Sequence, residues 1–267
     1  MPHPMSHFSS PRRRRTPAET GLLWAALALL ALAVFGPVLP ASPHQHGFAD
    51  QRTLWGLPCA LDVLSNLPFA LIGAWALWSV RAQPRHDASL AWHAFALALL
   101  ATAAGSALYH WAPGNASLAF DRLPIAWACA ALLCAFFAER LDARCGSPAA
   151  LAAALLAASA SVLLWWLSEA AGRSDLRAYL FVQFLPMLLV PAALLMRLRP
   201  RFAAAAPDMA WWGVLLGYTL AKGLELADHA VFDQLGLVSG HTLKHLAAAG
   251  AALWLLAARR ISCGSPR

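Results

Sequence analysis

Gly240-His241-Thr242-Leu243-Lys244-His245 leads without a break into the apolar run LAAAGAALWLLAA at 246–258. The run has the character of a helix that sits in lipid, yet its first turns carry two imidazoles and an ammonium. Ionisable groups are costly in a bilayer, and where they occur they face a bundle interior, a water-filled cavity or a site. His241 and His245 stand four residues apart, so on a helix they share one face. The stretch therefore predicts a helix that is both membrane-embedded and turned towards partners elsewhere in the chain.

The rest of the sequence supplies a membrane setting. Sixty per cent of its 267 residues are hydrophobic and 12% charged, and mean hydropathy is +0.56. A helix needs roughly 20 apolar residues to cross the hydrocarbon core. Eight stretches approach that length, at about 21–40, 58–80, 90–111, 118–138, 149–168, 178–196, 209–232 and 241–258. Short connections with breaker residues separate them, such as APGNAS at 112–117 and RCGSP at 144–148. The expected fold is all-α, a polytopic transmembrane helix bundle with no internal repeat and no soluble domain. The first stretch follows RRRR at 12–15 and precedes LPAS at 39–42, so it reads either as an uncleaved helix or as a signal-like segment. Its length favours the helix.

Net charge is +7, but the basic residues are scattered between apolar runs with no basic face interleaved with stacking aromatics, a pattern that points away from nucleic acid. Their distribution instead predicts orientation, because cytoplasmic loops carry the positive excess. With the N-terminus inside, fourteen of the twenty Lys and Arg residues fall on the cytoplasmic side and four (Arg52, Arg122, Arg173 and Arg177) on the other. The five cysteines form no CxxC pair and lie mostly in or near apolar runs, so they read as small hydrophobes rather than a disulfide framework.

In that orientation His110 ends the third stretch on the outer side, Asp121 begins the fourth there, and His241 and His245 begin the eighth. Ser106 and His110 are a second i, i+4 pair. Three imidazoles from two helices suit a divalent transition metal, since catalytic zinc sites commonly take three protein ligands and keep a position open for water. Such a metal lowers the pKa of that water to roughly 7. Asp121 is placed to accept a proton and Ser106 to donate to a developing oxyanion. Bis-histidine haem ligation by His110 and one member of the last pair stays open, but gives Ser106, Asp121 and the second histidine no use. His86, His93 and His229 read as interfacial polar residues. Lys222, Glu225 and Asp228 share a face by spacing, with Lys222 paired to Glu225 or gripping a lipid headgroup. Lys244 is expected to snorkel outward, and Trp165, Trp166, Trp211 and Trp212 to sit in interfacial belts.

Three segments, DVLSNLPF at 62–69, GSALYHWAPGNASLAFDRLP at 105–124 and SGHTLKH at 239–245, resemble the alkaline ceramidase family. That family belongs to a wider superfamily of seven-helix membrane hydrolases that includes the adiponectin and progestin receptors. The superfamily's order, Ser-x3-His, an Asp eleven residues later and a terminal His-x3-His, is matched by Ser106, His110, Asp121, His241 and His245. The resemblance spans about 44–258, nearly all of the chain after the first apolar stretch.

The resemblance implies a seven-helix core over 44–258, with a basic tail at 1–20, an additional apolar helix within 21–43 and a short tail at 259–267. It further implies zinc on His110, His241 and His245, catalytic roles for Asp121 and Ser106, and support from Asp62, Ser65 and Asn66. The implied activity is hydrolysis of the amide bond of a ceramide-like lipid to a sphingoid base and a fatty acid. Eukaryotic alkaline ceramidases carry an acidic cluster, associated with calcium, before their first helix. Here only Asp50 stands there, and Cys59 lies near where a glutamate is expected, which does not favour a calcium requirement. The alternatives are a receptor-like lipid sensor with structural zinc, because receptors of the superfamily keep the same residues, and a hydrolase of another N-acyl lipid.

Overall fold

The computed structural model describes residues 16–81 and 85–264. The basic run 12–15 and residues 265–267 of the C-terminal tail lie outside the described residues. Among the described residues the chain is helical and has no strand, with one isolated bridge between Leu54 and Leu57. In chain order the helices are α1 (Pro17–Phe35), α2 (Ala60–Leu64), α3 (Leu67–Arg81), α4 (Ser89–Trp111), α5 (Asn115–Arg140), α6 (Pro148–Ala170), α7 (Arg177–Leu195), α8 (Asp208–Leu226), α9 (Asp228–Leu235) and α10 (Gly240–Gly264). A 3-10 turn, Ala143–Gly146, joins α5 to α6.

Local chemistry sets these boundaries. Thr16 and Glu19 form a reciprocal capping box ahead of Pro17, and Ser147 caps α6 ahead of Pro148. Both arrangements combine a side-chain acceptor for an orphan N–H with a proline at a position where its missing N–H costs nothing. Ser239 starts α10 in the same way, its Oγ accepting from the Thr242 N–H at 3.0 Å.

Six helical stretches are long and apolar enough to cross a membrane: Pro17–Phe35, Ala60–Ser79, Ser89–Trp111, Asn115–Arg140, Pro148–Ala170 and Arg177–Leu195. The chain is thus a multi-pass membrane helix bundle. The additional N-terminal helix is present as α1, which packs on α7 and buries Leu22. The expected seven-helix core is matched only in part. α8 and α10 are 19 and 25 residues long but fall outside the six, and the charged side chains of Lys222, Glu225, Lys244 and Arg259 dilute their apolar content.

Two expected single helices are broken. The stretch 58–80 divides at Ser65 and Asn66, whose side chains both donate to the Asp62 carbonyl, at 3.0 and 2.8 Å. Short polar side chains that compete for a backbone carbonyl disturb the helical ladder. The stretch 209–232 divides at Ala227 into α8 and α9, and Gly236, in the left-handed region at φ 65°, ends α9.

α4 and α5 form the most extensive helix pair. Their approach needs Gly105, where a Cβ would stand 2.2 Å from the Phe120 carbonyl oxygen. Gly105→Ala is therefore expected to force the two helices apart and cost about 1–3 kcal/mol, seen as a lower unfolding midpoint in detergent. Since Ser106 and Asp121 are the next residues on each helix, any activity of the variant should fall further than its stability.

Tryptophan placement departs from the expected belts. Trp165 and Trp211 are fully buried; Trp165 donates to Glu169 at 3.1 Å, and Trp211 packs on Trp92 and Phe136. Trp166 and Trp212 are exposed. At the bundle end away from the clustered histidines, buried Glu139 accepts from Trp92 Nε1 and from the Ala206 N–H. His86 there takes a 2.6 Å contact from Arg259, and burial beside that cation lowers its pKa to about 4. It packs there against Phe202, ring centroids 5.0 Å apart.

Candidate metal centre

His110 at the end of α4 and His241 and His245 at the start of α10 converge, all three buried, with one donor nitrogen of each within 4.8 Å of the others. The Nε2 atoms of His110 and His241 are 3.2 Å apart. Tetrahedral zinc with Zn–N of 2.0–2.1 Å places its nitrogens about 3.3 Å apart, so the spacing suits a common metal. The three neutral imidazoles can hold a metal ion.

The hydrogen bonding around His245 orients it for such a role. Ser65 Oγ donates to the Asp62 carbonyl and lies 2.8 Å from His245 Nδ1. With the hydroxyl proton on that carbonyl, the Nδ1–H tautomer of His245 completes the pair. That tautomer leaves Nε2 free to ligate, the usual way in which a hydrogen bond on one ring nitrogen fixes the other.

His241 is placed through its backbone. Its N–H donates to Asp228 Oδ1 at 2.7 Å, while Asp228 Oδ2 accepts from the Ala49 N–H at 3.0 Å. Asp228 thus sits on the far side of the break at Ala227 and clasps the loop before α2 to the head of α10. It does not extend the Lys222 and Glu225 face as spacing alone implies. Gly240 allows this junction: a Cβ there would stand 2.3 Å from the Leu224 carbonyl oxygen.

The other expected site residues lie against the triad. Ser106 Oγ is 3.5 Å from His245 Nε2, and Ser106 and Asp121 line the same cavity. Asp121 Oδ1 is buried without a hydrogen-bond partner. Asp62 does not reach the metal position; its Oδ1 accepts from Thr242 and Ser239 at 2.5 and 3.2 Å, which ties α2 to α10. Asn66 acts on the Asp62 carbonyl. Phe48 covers the cluster, with ring centroids 4.5 Å from His110 and 5.0 Å from His241.

Sequence reasoning missed Asp228, Ser239, Thr242 and Phe48 as parts of this assembly. The one signal for them was a serine at the cap position before an apolar helix. The nearby loop acid, Asp50, spends both carboxylate oxygens on Arg52, which also reaches the carbonyls of Gly236 and Leu237. The hydrogen bonds from Arg52 hold the Asp50 carboxyl below its ordinary pKa.

A cavity of about 590 Å³ opens beneath the histidines. Its head is polar, with Ser106, Asp121, His241 and His245. Its walls are apolar, running down α4 through Thr102 and Leu99 to Phe95. Eleven residues of helix separate Ser106 from Phe95, about 16 Å at 1.5 Å per residue.

Lys222 and Lys244 also line the cavity, and each places its Nζ 2.6 Å from one oxygen of Glu225. Lys222 pairs with Glu225 as expected. Lys244 does not snorkel outward. It is three residues from His241, hence a neighbour on the same helix surface, and Glu225 on α8 offers it a counter-charge inside the bundle. His229 caps the loop before α2 through the Gly47 carbonyl at 3.1 Å, and His93 bonds back to the Ser89 carbonyl.

Compared with known protein families and with curated proteins, the chain matches none.

Proposed function

We propose that this chain is a membrane-embedded, zinc-dependent hydrolase that resembles the alkaline ceramidases and cleaves the amide bond of ceramide-like N-acyl lipids. One observation carries the reading: His110, His241 and His245 meet Ser106 and Asp121 at the head of a long apolar cavity. Three neutral imidazoles with an open side match catalytic zinc better than structural zinc, whose coordination is closed by four protein ligands. A bound ion supplies Lewis acidity and water that ionises near neutral pH.

The chain's own residues perform the remaining tasks. Asp121 Oδ1, unpaired and buried, takes the proton of the attacking water and returns it to the amine nitrogen as the C–N bond breaks. Ser106 Oγ, beside His245 Nε2, donates to the oxygen that gains charge at the amide carbon. The apolar walls below keep the acyl chain in hydrocarbon-like surroundings while the amide lies at the polar head.

Purified protein should contain about one zinc per chain and release free fatty acid from long-chain ceramides or related N-acyl lipids, whereas short water-soluble amides should be poor substrates. Cleavage of another N-acyl lipid with ceramides left intact would remove the ceramidase label and keep the chemistry. If metal-replete protein cleaves no amide lipid, the hydrolase reading fails and a receptor-like sensor replaces it.

The proposed orientation has both termini in the cytoplasm and the histidines at the outer face. It rests on the lysine and arginine distribution. Single cysteines placed in a cysteine-free background should resist a membrane-impermeant thiol reagent in intact cells at 85–88, 142–147 and 198–206, and react at 171–176. The reverse labelling pattern would invert the assignment.

A further inference from the structure

Arg122 follows Asp121 on α5 and lines the same cavity. Its guanidinium stacks 3.9 Å from the Trp165 ring centroid and 5.1 Å from that of Tyr179, and its Nη1 is buried without a hydrogen-bond partner. Arg52, Arg140, Arg177 and Arg201 each meet a carboxylate. Arg122 meets aromatic rings instead. The acids that act on it electrostatically are Asp121 and Glu169. Asp121 stands beside it with Oδ1 unpaired, and Glu169 accepts from Trp165 and Ser174. A guanidinium withdrawn from water needs acceptors for its five N–H groups, and stacking on rings offsets only part of that demand.

The rest of the polar head has the same bias. Lys222 and Lys244 share the single carboxylate of Glu225, and Asp228 gives both oxygens to backbone N–H groups. Three cations from α5, α8 and α10 therefore border one cavity with the carboxylates of Asp121, Glu225 and Asp228. Of the three cations, Arg122 is the one with a buried nitrogen left unpaired.

We infer that the cavity receives an anionic group, a carboxylate or a phosphate, on the polar end of its lipid, and that Arg122 binds it. The inference rests on the proposed hydrolase reading and, a ceramide being neutral, turns its substrate class towards other N-acyl lipids, those that carry an anion. Arg122 suits either group, because the planar guanidinium presents paired N–H bonds to carboxylate and phosphate alike.

The test uses the full-length, metal-replete protein in lipid nanodiscs and three non-hydrolysable probes with one chain: dodecyloxyacetate, dodecyl phosphate and the neutral 2-dodecyloxyethanol. Wild-type protein should bind at least one anionic probe about tenfold or more tighter than the alcohol. Arg122→Gln should weaken that binding about 10- to 100-fold, the loss of one charge-assisted pair, and leave alcohol binding unchanged, which also reports an intact fold. Arg122→Lys should recover part of the loss. Preference between the two anions identifies a carboxylate-bearing or a phosphate-bearing lipid as the source. Equal wild-type affinity for all three probes overturns the inference, whether or not the variants fold. Undiminished binding of the anion by Arg122→Gln overturns it as well. Turnover is scored separately on N-dodecanoylglycine and N-dodecanoylethanolamine: faster loss of the neutral amide counts against the inference while preserving the hydrolase. Absence of any cleavage counts against the hydrolase and leaves the binding result to decide on Arg122.

Discussion

His110→Ala, His241→Ala and His245→Ala are each expected to remove most bound metal and bring lipid hydrolysis to background. The three donors lie within 4.8 Å of one another, and no other His, Cys, Asp or Glu joins their group among the described residues. Loss of one therefore leaves two imidazoles with nothing to replace the third. Residues that only orient a ligand typically alter metal affinity 10- to 100-fold, and that is the expectation for Ser65→Ala, which frees His245 Nδ1. The ligand variants should exceed it. Metal analysis of the purified variants, together with fatty acid release, checks both levels. Full occupancy and full turnover in all three alanine variants would remove the metal centre altogether.

Asp121→Asn is expected to separate chemistry from metal binding. The carboxyl is buried beside Ser106 and belongs to no metal-ligating group with the three histidines. Replacing it by an amide of the same shape keeps the volume and abolishes the proton acceptor, so zinc content should stay near wild type while the rate falls about 10²- to 10⁴-fold. Ser106→Ala should also keep its metal, with a smaller loss of rate. Metal loss in step with rate for Asp121→Asn would make the aspartate a ligand; an unchanged rate for Ser106→Ala would remove the hydroxyl from the reaction.

The parts of the site written as short-range helical spacing were readable in advance. His241 and His245 share a face because they are one turn apart, and Ser106 with His110 likewise. Membrane depth then put Asp121 at the same level without any tertiary information. Contacts between distant segments were not readable. No periodicity announces that Asp228 gives one oxygen to Ala49 and the other to His241, nor that the Asp62 carbonyl draws two side chains and ends α2. Lys244 was misread because its setting was judged from its own helix, whereas Glu225 on α8 determines where the ammonium goes. The tryptophans show the same limit, since residue type suggests the interface while a bond to half-buried Glu169 and an aromatic cluster hold Trp165 and Trp211 in the interior.

The order of the ligands along the chain bears on how the protein is made. His110 precedes His241 by 131 residues, and both α10 histidines belong to the last described helix. A growing chain holds one of the three triad imidazoles through the synthesis of α5 to α9, too few to retain an ion against competing chelators in the cell. Metal capture by the triad would therefore be a late event that waits for α10 to lie beside α4. Once made, it would cross-link the two across a loop of more than a hundred residues, the kind of closure whose chain entropy is largest. A nascent chain that stalls or is cut before α10 can place its earlier helices and still lack two of the three donors, so metal content would report whether synthesis passed α10.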